Sequence, residues 1–329
     1  MSIFLSVVMP TYNGEKYISA ALESVRAEGT DGLEVVVVDD GSTDRTLEIV
    51  RGFTRHLPLR LITPGRLGNW VAASNLGLRD AKGEWVCILH QDDLWLPGRL
   101  ARLRRETGVA QGALVIHDAM FVDPDGQRLG PWTCPLFPGI VSSDEFLEHL
   151  LVQNFVAMPS PMFRRSATLE TGGMDEALWF TADWDLWLRL GALAPVTFVA
   201  ETLSAFRVHP ESQTISRKRS RGEFEQQLTT VLQRHLARWS VNGRRRARVE
   251  RVAKASIAIN STLSAMARGE SMPRRLLFQL FTLGPLGWHR YLRDSRIFQR
   301  IQSRLKLKRV TRAVRKQAEA RVEGAAGRG

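Results

Sequence analysis

Val35-Val36-Val37-Val38-Asp39-Asp40-Gly41-Ser42-Thr43-Asp44 sets four consecutive valines directly before a cluster of acids and turn formers. A run that is apolar at every position reads as a strand buried on both faces, as in the centre of a parallel sheet covered by helices. Ser42 or Thr43 is expected to cap the helix that follows, with Asp44 in its first turn. Two more acidic motifs follow in order, Ile88-Leu89-His90-Gln91-Asp92-Asp93 and then Asp183-Trp184-Asp185. Carboxylates gathered at the carboxyl ends of sheet strands suit a metal-bound, diphosphate-containing ligand and a general base better than they suit packing.

Outward from that run, short β-branched stretches alternate with longer amphipathic ones. Phe4–Met9, Glu34–Val38, Leu59–Thr63 and Glu84–Leu89 read as strands, and Tyr17–Ala27, Thr43–Arg55 and Asn69–Asp80 as the helices between them. The alternation implies a parallel α/β sheet with short right-handed crossovers. Ala113–Asp123 reads as a further strand, followed by an Asp125-Gly126 turn and a Pro-rich loop from Pro131 to Pro138. Ser142–Val152 and Thr181–Ala192 are expected to be helical, and Val196–Val208 to be the last strand region of this part.

The chain has 329 residues, 44% of them hydrophobic, enough for a sizeable core. Cys87 and Cys134 have neither metal-ligand spacing nor a disulfide framework, which fits a reducing cytosol. The apolar start, Met1 to Pro10, lacks a basic leader and a small-residue cleavage site and reads as the first strand rather than a signal peptide. No stretch reaches the roughly 18 to 20 apolar residues that span a bilayer, so a soluble or membrane-surface protein is expected.

The overall charge of +12 conceals an asymmetry. Residues 1–215 carry 18 basic and 27 acidic residues, a net of −9, whereas residues 216–329 carry 28 and 7, a net of +21. That basic block reads as a helical extension, with helices at Glu223–Trp239, Arg245–Ala267 and Ile297–Ala320 and a frayed tail at Gly324–Gly329. Leu276–Trp288 is apolar, broken by Gly284-Pro285, and flanked by Arg274, Arg275, Arg290 and Arg293, which suits a membrane surface better than a span. A block of one sign points to a partner of the other, either anionic lipid or nucleic acid. Few aromatics interleave with these charges and no nucleic-acid module is visible, so lipid is favoured over nucleic acid, with a solvated helical bundle as the plainer alternative.

Each motif has a chemical and a structural reading. Pro10-Thr11-Tyr12-Asn13-Gly14 puts an aromatic ring in the crevice at the end of the first strand, where it can stack on a nucleobase or simply pack. Asp39 and Asp40 can accept from a base or ribose, or serve only a helix cap. Asp92 and Asp93 follow a strand buried on both faces, where adjacent carboxylates are unfavourable without a cation or several donors. Mg²⁺ or Mn²⁺ takes few protein carboxylates and completes its shell with phosphate oxygens and water. The structural alternative has Asp93 capping a helix near Pro97 or facing solvent. Asp183 and Asp185 can be acids of a helix's first turn, Trp184 can be core or face a sugar, and His209 can be a metal ligand or a hydrogen-bonded core group.

Taken together, these motifs resemble the family 2 glycosyltransferases over roughly residues 4–212. The resemblance rests on Pro10-Thr11-Tyr12-Asn13, Val38-Asp39-Asp40-Gly41-Ser42-Thr43-Asp44, Ala81-Lys82-Gly83-Glu84, Gln91-Asp92-Asp93 and Asp183-Trp184-Asp185-Leu186-Trp187-Leu188-Arg189. It implies the GT-A fold, an α/β nucleotide-diphospho-sugar-binding domain over 1–215 with a mostly parallel mixed sheet flanked by helices, followed by the basic region 216–329. It also implies a nucleotide-sugar site at Pro10, Thr11, Tyr12, Asn13, Asp39, Asp40, Gln91, Asp92 and Trp184. Asp92 would match the last acid of the metal-binding Asp-x-Asp motif, with His209 as a further ligand, and Asp183 the catalytic base. His90 stands where many relatives carry the first acid, Ala182 replaces a frequent Glu, and the Gln-x-x-Arg-Trp motif of processive synthases is absent. Single-sugar inverting transfer is therefore expected, from a UDP-, dTDP- or GDP-linked donor to a glycan or lipid-linked acceptor at the cytoplasmic face of the membrane. A degenerate scaffold of the same fold and a sugar-phosphate nucleotidyltransferase are the alternatives. Retention of Asp92 and Asp183 weighs against the first, and the lack of a Gly-rich, Arg-containing loop after the first strand against the second.

Overall fold

A computed structural model describes residues 3–209, 221–267 and 283–307. Strands β1 (Leu5–Thr11), β2 (Leu33–Asp39), β3 (Leu59–Ile62) and β4 (Trp85–Ile88) alternate with helices α1 (Ile18–Arg26), α2 (Thr46–Phe53) and α3 (Trp70–Asp80). All seven residues of β1 and all seven of β2 are buried. Because side chains alternate across a strand, Leu5, Val7 and Met9 join Val35 and Val37 in one core cluster, while Val8 joins Val86 and Ile88 in another on the opposite face. The valine run of β2 thus feeds both layers. Gly77 lets α3 lie close on β1: a Cβ there would sit 2.5 Å from Val8 Cγ1.

The helix after β2 starts later than expected. The N-cap position is Arg45, which makes no side-chain cap, and Asp44 just before it accepts through Oδ1 from Thr46 N at 3.0 Å in place of Ser42 or Thr43. Ser42 is occupied elsewhere, donating through Oγ to Asp39 Oδ2 at 2.5 Å.

Beyond β4 the chain forms β5 (Leu94–Trp95), α4 (Arg99–Thr107), β6 (Leu114–Val122), β7 (Arg128–Trp132), β8 (Gly139–Val141), α5 (Ser143–Leu150), β9 (Met162–Arg164), α6 (Arg165–Glu170), α7 (Ala182–Leu193) and β10 (Val196–Arg207). The sheet runs β3-β2-β1-β4-β9-β6-β10-β5, with β7 on β6 and β8 on β10. Pairs β3-β2-β1-β4 and β6-β10 are parallel, whereas β9, β5, β7 and β8 pair antiparallel, so the sheet is mixed. The two- and three-residue strands are too short to show a period in sequence. Pro131, expected in a loop, lies within a strand opposite Met120. Proline is tolerated because β7 is an edge strand and needs no second donor.

Among the described residues of the basic half lie α8 (Arg221–Arg238), α9 (Gly243–Ala267) and α10 (Gly284–Ser295), then a helical stretch over 297–307. Residues 276–282 of the apolar segment, 308–320 of the last expected helix, and the tail lie outside the described residues. No helix among the described residues is long and apolar enough to cross a membrane. Val231, Leu232 and Leu236 of α8 and Val249, Val252 and Ile257 of α9 share a core cluster with Phe146, Trp184 and Trp187. Polar contacts reinforce the seam. Arg245 Nε donates to Glu148 Oε2 at 2.6 Å, Arg290 Nη1 to Glu148 Oε1 at 2.6 Å, and Trp239 Nε1 to Asp144 Oδ1 at 3.0 Å. Part of the positive excess of the second half is thus neutralised by acids of the first. Both cysteines are buried and free.

Candidate active site

Loops leaving β1, β2 and β4 meet at the carboxyl edge of the parallel strands, and their side chains lock one another. Asn13 adopts a left-handed backbone (φ 46°), donates from its amide to Ser42 Oγ at 2.9 Å, and accepts through Oδ1 from Thr43 N at 2.8 Å. Gly14 N donates to Thr46 Oγ1 at 2.7 Å. Gln91 brackets Tyr12, accepting from its amide at 2.8 Å and donating to its carbonyl at 3.0 Å. Pro10 and Thr11 lie within β1 opposite Val38 and Asp39. Asp39 accepts from Ser42 N at 2.9 Å and so shapes the turn.

Asp40 is buried, and its carboxylate is occupied. It pairs with Arg66 Nη1, accepts from Leu67 N, and accepts from Gly68 N at 3.0 Å. The same guanidinium lies 3.7 Å from the centre of the Tyr12 ring. Tyr12 and Asp40, expected as one nucleoside corner, are brought together, and Arg66 stands between them. Sequence reading missed Arg66; its one signal is the Gly65-Arg66-Leu67-Gly68 spacing, with both glycines left-handed.

The second corner follows β4. Ligand atoms of His90, Asp92 and Asp93 lie within 4.8 Å of one another. His209 joins them across the sheet, donating from Nε2 to Asp92 Oδ2 at 2.9 Å. Asp93 neither caps a helix nor faces solvent: it is 1% exposed and accepts through Oδ1 from Arg207 N at 3.0 Å. Burial, reinforced by the neighbouring Asp92 charge, pushes its carboxyl well above the usual range. Burial also acts to raise Asp92, but the His209 hydrogen bond and the nearby imidazoles outweigh it and hold Asp92 low. Burial lowers His90, keeping its imidazole neutral and able to ligate. His90 Nε2, Asp93 Oδ2 and His209 Nδ1 are buried with no hydrogen-bond partner among the described residues. A buried cluster with unused lone pairs is costly unless a cation or substrate completes it. These residues therefore fit a hard divalent ion that keeps open positions for phosphate and water.

The third corner is the start of α7. Asp183 accepts from Asn154 Nδ2 at 3.0 Å and from the Trp184 amide at 2.7 Å. Burial pushes its carboxyl up to about 6 against those two opposing hydrogen bonds, a value suited to a general base near neutral pH. Asn154 carried no sequence signal. Trp184 corrects its expected role: it is 3% exposed and donates from Nε1 to Leu150 O at 2.9 Å inside the core, which leaves its ring no face for a sugar. Asp185 points inward to Arg189, Arg234 and His235, each at 2.9 Å. Trp70 connects the corners, packing edge-on against His90 at 5.0 Å and donating to Trp179 O at 2.8 Å, two residues before Thr181.

A mixed α/β sheet with flanking helices and acidic loops along its parallel edge is the GT-A architecture. Residues 6–132 match the family described as Glycosyl transferase family 2, so this part of the chain is a family 2 glycosyltransferase domain. It is 29% identical over 239 residues to an uncharacterized glycosyltransferase of Rickettsia typhi, a match covering 68% of this chain and 70% of that one. It is 27% identical over 228 residues to an uncharacterized glycosyltransferase of Rickettsia felis; there 63% of this chain aligns with only 34% of the longer relative. Among solved structures it resembles Staphylococcus aureus TarS 1-349 in complex with UDP-GlcNAc, with a TM-score of 0.64, 18% identity and 88% of each chain covered. It also resembles the mannosyltransferase PcManGT of Pyrobaculum calidifontis in complex with GDP-Man and Mn2+, with a TM-score of 0.52, 19% identity, and 93% of this chain and 87% of that one covered. At such identities these two likenesses speak to fold alone.

Proposed function

We propose that this protein transfers a single sugar, with inversion, from a UDP-, dTDP- or GDP-linked donor to an acceptor hydroxyl. The observation that carries the reading is the His90-Asp92-Asp93 group at the sheet edge, partly buried and incompletely paired beside the Tyr12-Asp40 corner. Residues 1–215 act as the catalytic unit. Pro10, Thr11, Asn13, Asp39 and Gln91 shape the nucleotide crevice, and Tyr12 and Asp40 receive the nucleoside. Asp92 and His209 would hold Mn²⁺ or Mg²⁺, with His90 and Asp93 as the further ligands that the cluster offers. When bound, the cation supplies charge neutralisation for the diphosphate.

Asp183 takes the acceptor's proton as the hydroxyl oxygen attacks the anomeric carbon. The bond to the nucleoside diphosphate breaks on the opposite face, so configuration inverts. Asn154 holds the base in place, and general-base help of this kind contributes about 10²- to 10⁴-fold in rate.

The acceptor is proposed to be a glycan or lipid-linked saccharide of cell-envelope assembly, reached at the cytoplasmic face of the membrane. Support comes from the basic region 216–329. Arg244, Arg248 and Arg251 are exposed on one helix, and Leu286, Phe298, Ile301 and Leu305 expose apolar surface on the following ones. A basic surface with apolar side chains suits anionic lipid.

A thermal-shift panel of the protein with UDP-, dTDP- and GDP-sugars, each with Mn²⁺, Mg²⁺ or EDTA, tests the proposal. Metal-dependent stabilisation by one nucleotide class is expected. A folded protein that responds to none of them overturns it.

A further inference from the structure

The Tyr12-Asp40 corner is already filled by the protein itself. A nucleobase bound there needs a flat face stacked on Tyr12 and an N–H edge turned to Asp40. Arg66 supplies both, with a planar guanidinium 3.7 Å from the Tyr12 centroid and Nη1 on the Asp40 carboxylate. Its Nη1 also donates to Asp40 O at 3.2 Å. Leu67 N and Gly68 N complete the wrap around the same carboxylate. Gly65 (φ 85°) and Gly68 (φ 71°) take left-handed conformations that bend the loop back over Asp40, and a Cβ at either would meet nothing. Their requirement is conformational, not steric. Tyr12 remains 37% exposed and the Arg66 side chain 49% exposed, so the guanidinium can leave into solvent without opening the core.

We infer that Arg66 is an internal surrogate for the nucleobase, which binding of the donor displaces from Tyr12 and Asp40. The inference rests on the reading of Tyr12 and Asp40 as the nucleoside corner. Without a ligand, the buried Asp40 carboxylate needs a counter-charge, and Arg66 provides it. With the donor bound, the base takes over the stack and an Asp40 hydrogen bond, and Arg66 swings outward. Arg66 thereby lowers the net affinity for base-bearing ligands and leaves ligands that carry the diphosphate without a base unaffected.

Titration calorimetry of UDP and GDP binding tests this on wild type, Arg66→Ala, Arg66→Lys, and the paired controls Tyr12→Ala and Asp40→Ala. Removing a part-exposed ion pair and cation–π contact from competition should tighten binding to Arg66→Ala about three- to tenfold. Arg66→Lys, which keeps the charge but loses the plane, should fall between. Weaker or unchanged binding by Arg66→Ala overturns the inference and makes Arg66 a direct contact or a bystander. If Tyr12→Ala and Asp40→Ala bind like wild type, the nucleoside corner itself is misplaced, a failure distinct from that of Arg66.

Discussion

His235 Nε2 donates to Asp185 Oδ1 at 2.9 Å, joining residues 50 positions apart across the change of charge in the chain. Asp185 is wholly buried, and Arg189 and Arg234 complete its shell. Burial acts to raise this carboxyl, but the His235 hydrogen bond and the nearby Arg189 and Arg234 guanidiniums overcome it and hold it at about 2. The basic extension is thus anchored two residues from the proposed base.

That anchorage predicts an acid-labile seam. A carboxyl depressed from 3.8 to about 2 contributes stability that is full above its unfolded value and lost as pH falls through 2. The contribution is about 2 kcal/mol. Asp185→Ala should cost more, about 3–5 kcal/mol, because it leaves the largely buried Arg189 without its carboxylate. Urea unfolding as a function of pH from 7 down to 2 measures the first quantity and unfolding of the variant at pH 7 the second, and His235→Ala should lose less than Asp185→Ala.

Asp183 predicts the opposite sign. Its folded value is raised to about 6, so its burial costs stability fully above pH 6, and the cost vanishes below 3.8. Asp183→Asn should melt higher than wild type at pH 8 and no higher at pH 3.5, while turnover falls about 10²- to 10⁴-fold. Wild-type turnover should rise with pH through about 6. Asn154→Leu, by removing a donor to the ionised form, should shift that rise to higher pH, as a pH–rate profile of kcat will show.

Metal use should respond to His90. Asp92→Ala should abolish Mn²⁺-dependent donor binding, and His209→Ala should weaken it about 10- to 100-fold as a ligand or hydrogen-bond partner is lost. His90→Asp adds an oxygen ligand to the same group and should shift preference toward Mg²⁺. Calorimetric titration of each ion in the presence of nucleoside diphosphate checks all three.

Gly14 is a packing requirement of the crevice. A Cβ at this position would lie 2.4 Å from Gln91 Oε1, and Gln91 cannot move aside without breaking its two hydrogen bonds to Tyr12. Gly14→Ala should cost about 1–3 kcal/mol in stability and weaken nucleotide binding, measurable by thermal shift and calorimetry together.

Much of the α/β layer was legible because its signals are local. Valines on both faces of β2, the apolar run of β4, and acids at their ends are properties of consecutive residues, and burial at both faces leaves few alternatives. Strands β5 and β9 were not legible, since two or three residues carry no period and form only where β10, β4 and β6 offer edges. The start of α2 was misread by a few residues because Ser42, Thr43 and Asp44 are all plausible caps. The choice fell to Asp44 once Asn13 and Asp39 had engaged its neighbours.

The sequence alone determined the sheet's central strands, the family resemblance, and the acids offered at the strand ends, because apolar runs and loop chemistry are set by neighbours along the chain. Only the tertiary structure decided what those acids meet. It brought His209 to Asp92 across 117 positions and Arg66 to Asp40 across 26. It turned Trp184 into the core and spent part of the basic half on Asp144, Glu148 and Asp185. Such pairings depend on which surfaces come together when the core forms, and a buried charge takes whichever partner that packing delivers.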